Sequence, residues 1–111
     1  MSVSQARVCE RYGIEPVPSP RTLKVGVSAA VGSGGEPIHG LRHAPGGDTT
    51  GWYIWTGDFS EDDDFFEPLH VSHLDGRCPE VVTYLALPPG WRFLLAPGHE
   101  DVWYDETLLN I

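Results

Sequence analysis

Gly51-Trp-Tyr-Ile-Trp-Thr-Gly-Asp58 decides how the rest of this chain is read. From Trp52 to Thr56 every residue is aromatic or β-branched, the composition that packs best on a pleated surface. So little alternation predicts a strand that is apolar on both faces, lying centrally in a sheet or with one face covered by loops. Trp52 and Trp55 are three apart and therefore point to opposite faces. One of the two is placed to stand exposed beside the loop that follows, and Trp55 is the candidate anchor for a partner. Trp52, Trp91 and Phe93 are the expected core anchors.

Working upstream, Leu23, Val25, Val27 and Ala29 alternate with Lys24, Gly26 and Ser28, which predicts a strand within Thr22 to Val31. Gly32-Ser-Gly-Gly35 is a flexible turn, and Ile38 to His43 reads as the return strand of a hairpin. Residues 14–20 form a proline-rich connector, because its prolines forbid regular structure. Before it, Ser2 to Tyr12 predicts a short helix, capped by Ser2 or Ser4 and ended by Gly13. Downstream, His70 to Gly76 is expected to form a helical turn. Pro79 suits the first position of a helix, with Glu80 favourable at its positive end. Trp91 to Leu95 and Val102 to Tyr104 are two further strands, with Pro97 to Asp101 turning between them. The expected fold class is α+β: a small twisted, mainly antiparallel sheet of about five strands with one or two short helices.

Composition agrees with a single domain over residues 1–111. The 111 residues are 41% hydrophobic, enough for one core. Charge is divided unevenly. Seven Lys+Arg against sixteen Asp+Glu give a net charge of -9. The acids concentrate in the second half, above all in Asp58, Glu61, Asp62, Asp63 and Asp64. Such a balance argues against nucleic acid or an anionic membrane as partner, since either would be repelled. No apolar run approaches the roughly 20 residues needed to span a bilayer. The N-terminus also lacks the pattern of a secretory signal, so a cytoplasmic location is expected. Cys9 and Cys78 are then expected to be free thiols.

Chemistry-bearing patterns are sparse. His70-Val-Ser-His73 sets two imidazoles at i, i+3, and Asp75, Glu67 or His99 could supply a third metal ligand. The spacing is not that of a zincin helix, and polar groups at a helix edge explain it without a metal. Counted from Asp58 as a calcium loop, the sixth position is Asp63, where a glycine is needed. Asp105-Glu106 and Glu100-Asp101 are adjacent pairs that diverge on a strand. Cys78, just before a helix N-terminus, is the one thiol whose pKa could be lowered, yet neither cysteine carries the surroundings of a nucleophile. No nucleophile elbow or phosphate-binding loop occurs. The expectation is therefore no enzyme, no cofactor and no metal.

The run from Gly51-Trp to Gly57-Asp58, with its acidic continuation, resembles the immunity protein thirty-three family, small bacterial domains of polymorphic toxin systems. The likeness extends through Cys78-Pro-Glu-Val-Val82, Leu87-Pro-Pro-Gly90 and Trp91-Arg-Phe93, and upstream to Ile38-His-Gly-Leu-Arg42, covering about residues 38–106. Phe59 and the His43-Ala-Pro-Gly-Gly47 stretch depart from it, since the family tends to carry acids at both places. The resemblance implies a cytoplasmic immunity protein that neutralises a cognate toxin by stoichiometric binding. Trp55, Asp58, Glu61, Asp62, Asp63 and Asp64 are the candidate partner-binding residues, because a toxin with a basic cleft would be steered to a concentrated acidic surface. Should the acids only solvate the loop, the interface is expected around His39, Arg42 and the neighbouring glycine-rich loops. The alternative reading is a small-ligand or metal-binding accessory domain built on His70, His73 and nearby acids.

Overall fold

The computed structural model describes residues 2–110. Its sheet has six strands in the order β4-β1-β3-β2-β5-β6, one more than the sequence predicts. They are β1 (Lys24–Ser28), β2 (Ile38–Arg42), β3 (Thr49–Thr56), β4 (Phe66–His70), β5 (Trp91–Ala96) and β6 (His99–Tyr104). The helices are α1 (Val3–Arg11), α2 (Val71–Arg77) and α3 (Pro79–Val82), and a 3-10 turn closes the chain at Glu106–Leu109. The α+β class holds, with β1 and β3 parallel and the other neighbours antiparallel. No helix among the described residues is long and apolar enough to cross a membrane.

Two readings are corrected. Ile38 to His43 is not the return strand of a hairpin with β1, because β3 lies between them and β2 pairs with β3 and β5. The additional strand is β4, built from residues 66–69, to which the sequence reading gives no element, and from His70, read as the start of a helical turn. Pro68 lies opposite Gly26 within it, a position open to proline because β4 is an edge strand.

The elements form for local reasons. Ser2 caps α1 in a capping box with Gln5, and the Gln5 amide reaches the Val82 carbonyl at 2.8 Å. The helix thereby presents Val8 and Cys9 to the core. On the sheet, β3 turns Trp52 and Ile54 toward the helices, where both are fully buried with Val25, Val27, Leu74, Leu85 and Phe93. Phe93 lies across Gly40, where a Cβ would stand 2.2 Å from its ring, so only glycine leaves room for it at this position of β2. Trp91, expected as an anchor, is half-buried at the rim of this core.

Arg42 occupies the centre of the same face and is 1% exposed. Its Nε donates to the Thr50 carbonyl at 2.9 Å, and its Nη1 to the carbonyls of Val17 at 2.6 Å and Leu87 at 2.8 Å. Burial pulls its pKa down to about 10, so it remains charged at neutral pH, with the Trp52 ring 5.8 Å beneath it. The proline-rich connector is fixed by this guanidinium and by a hydrogen bond from Val17 N–H to the Ala86 carbonyl. Arg42 therefore belongs to the interior and cannot contribute to an interface.

Both thiols are free and buried. The Cys9 thiol donates to the Ala86 carbonyl at 3.4 Å, and burial pushes its pKa up. Cys78 is raised as well, first by burial and then by the Glu80 carboxylate, the reverse of a thiol activated at a helix start. We expect neither to react with a thiol-specific reagent within minutes at neutral pH in the native protein, and both to react in denaturant. Rapid native labelling of either would show that its surroundings open to solvent.

Candidate protein-docking site

Helices cover one face of the sheet, and the other face carries aromatic side chains instead. Cross-strand pairing puts Tyr53 opposite Leu41, Leu41 opposite Arg92, and Arg92 opposite Trp103. A second row sets Trp55 opposite His39 and His39 opposite Leu94. Gly26 makes room for this layer, because a Cβ there would lie 2.7 Å from the Tyr53 ring.

After β3 the chain must cross the end of β1 to reach β4, and residues 57–65 make that crossing. Gly57 takes a φ of +70°, a conformation that glycine adopts without strain, and its N–H donates to the Pro37 carbonyl. Ser60 Oγ accepts from Asp62 N–H at 3.2 Å, and Phe65 N–H donates to the Asp62 carbonyl, so the acidic run is turned back on itself. The loop folds Phe59 onto Trp55, with ring centroids 5.4 Å apart, and Phe59 also meets Phe65 and Phe66.

Trp55 is consequently 5% exposed rather than free to anchor a partner by itself. His39 stacks on it at 4.9 Å with only 12° between the ring planes. Burial, helped by the Arg92 charge, lowers the His39 pKa and favours its neutral form. The exposed ring of the cluster is Phe59, at 55%.

Electrostatics sharpen the contrast between this loop and its surroundings. Arg11, Arg21, Lys24, Arg77 and Arg92 are each held by an acid 2.7–3.4 Å away. Asp58, Glu61, Asp62, Asp63 and Asp64 are exposed, and among the described residues none of them takes part in an ion pair. These five carboxylates therefore sit together on the crossing loop, beside an open aromatic face, with no internal cation to offset them.

Other candidate residues lie elsewhere. His70 ends β4 and His73 lies in α2, their rings edge to face with centroids 5.8 Å apart. Among the described residues no group of three or more His, Cys, Asp or Glu side chains could hold a metal ion. His99 pairs with Asp101 at 2.9 Å on β6. Glu100, on the same strand, ties it to α1 and the core by accepting from Arg11, Tyr12 and Tyr84. Sequence reasoning missed Phe59, Phe65 and Phe66 as parts of the site. Their signal was present, since aromatic residues flank the acidic run on both sides.

The Imm33-like domain model matches residues 4–105. The chain belongs to this family. The match extends well upstream of the segment at 38–106 on which the resemblance rested, taking in most of α1, the proline-rich connector and β1. An Imm33-like domain is thus the whole sheet with its helical cover, not the central strands alone. No curated protein and no solved structure significantly matches the chain.

Proposed function

We propose that this Imm33-like domain is a non-catalytic immunity protein that acts in the cytoplasm by binding a toxin stoichiometrically and covering its working surface. The observation that carries this reading is the segregation of charge. Five exposed carboxylates on one loop are left without ion partners, while nearly every cation of the chain is paired or buried. Concentrating like charge costs the fold repulsion, and a basic partner removes that cost on binding. The family name and the open aromatic face support the same conclusion, because desolvated aromatic residues provide the short-range part of an interface. The partner implied is a protein with a basic surface, such as the substrate cleft of an enzyme that acts on phosphates.

The test is co-expression with the product of the adjacent gene in the same operon. A 1:1 complex by size-exclusion chromatography with light scattering, together with loss of that protein's toxicity, is the expected result. Two species eluting separately at micromolar concentration, with toxicity undiminished, would refute the proposal for that pair.

A further inference from the structure

Leu41, His43, Tyr53, Trp55, Phe59 and Phe66 line a shallow cavity of about 180 Å³ on the open face. Its rings stand steeply to one another: Tyr53 to Phe66 at 71°, Trp55 to Phe66 at 78° and Trp55 to Phe59 at 71°. We propose that this cavity receives an arginine side chain from the basic surface of the partner, one wall of the cavity being Phe59 of the acidic loop. The inference rests on the docking reading above and names the contact that would anchor it.

The chemistry favours a guanidinium over the other occupants. Aromatic walls attract a cation through the ring quadrupole, and a planar guanidinium can also stack on them. Three cations of the sheet are engaged elsewhere: Arg92 with Asp105 and the Trp103 ring, Arg77 with Glu67, and Lys24 with Asp48. Asp58 directly precedes Phe59 and Glu61 follows it by two, so the loop that supplies this cavity wall is acidic. An apolar side chain would fill the volume but leave those carboxylates unused. A lysine ammonium is more strongly hydrated and costs more to bring into an apolar site.

Three peptides test this on the intact protein: acetyl-Gly-Arg-Gly-amide and its counterparts with citrulline, which keeps the shape without the charge, and with norleucine. Binding is followed at millimolar concentration through the Trp55 indole N–H resonance. The arginine peptide should shift that resonance saturably, and the citrulline and norleucine peptides should bind about fivefold more weakly or worse. Phe59→Ala should weaken the arginine peptide by a similar factor with only a small fall in melting temperature, since Phe59 is more than half exposed, and Phe59→Tyr should restore both. Equal binding of norleucine would make the cavity an apolar anchor instead and overturn the proposal. So would an arginine peptide that binds nowhere or is indifferent to Phe59→Ala. The docking reading stands or falls separately: a partner that still forms the 1:1 complex while the arginine peptide fails leaves it in place.

Discussion

Replacing Arg42 with Met should destabilise the protein by about 3–5 kcal/mol, the loss expected when several buried carbonyls each forfeit a charged donor at about 1–3 kcal/mol. Met keeps most of the volume, so packing contributes little to the loss. The cost comes chiefly from the carbonyls of Thr50 and Leu87, which lose a donor in the interior, and in part from that of Val17 on the half-buried connector. Arg42→Lys should recover only a part, because one ammonium cannot span carbonyls on the connector, on β3 and in the segment after α3. Denaturant unfolding followed by tryptophan fluorescence measures this directly. The midpoint should fall with little change in slope. A loss under about 1 kcal/mol for Arg42→Met would mean that those carbonyls find other donors, and that the connector is held by its own contacts.

The same residue shows where the sequence was and was not legible. In Ile38-His-Gly-Leu-Arg42 the alternation is ambiguous, since each face of the strand carries one clearly apolar and one polar side chain. A charged residue is ordinarily assigned to solvent. Here the core face is Ile38, Gly40 and Arg42, because backbone carbonyls brought in from distant segments satisfy the guanidinium. Such partners leave no local signal. The central position of Trp52 to Thr56 was legible for the opposite reason: its composition admits hardly any other environment. Strand order was hidden because β3 inserts between β1 and β2, and spacing along the chain cannot report that insertion. For β4 the obstacles were Pro68 and the acids preceding it, which speak against a strand until an edge position is known.

The candidate site divides in the same way. Five carboxylates on an exposed loop could be read directly, because nothing nearby in sequence neutralises them. Whether Trp55 was exposed could not, since its cover comes from Phe59 and Phe66, on either side of the acidic turn, and from His39 on the neighbouring strand. Where one exposed tryptophan was expected the structure has a cluster of rings, with Phe59 as its solvent-facing member.

Changing Asp62, Asp63 and Asp64 together to Asn should slow association with the proposed toxin partner about tenfold at low salt, while leaving the dissociation rate nearly unchanged. All three are exposed, and their carboxylates form no hydrogen bond or ion pair among the described residues, so the fold should not be disturbed. Charges at an interface rim act over roughly 10 Å at 0.1 M salt, and they accelerate encounter more than they hold the complex. The decrease of on-rate with rising salt should therefore become shallower in the triple variant, and the two proteins should converge at high ionic strength. Phe59→Ala should do the reverse, raising the off-rate with its salt dependence retained. Stopped-flow association at several salt concentrations separates the two. An on-rate and salt slope unchanged in the triple variant would reduce the acidic loop to a solvated crossing. With Arg42 buried, the interface would then be sought at the exposed glycine-rich loops beside His39 and at Trp103 and Tyr104 on the free edge of β6.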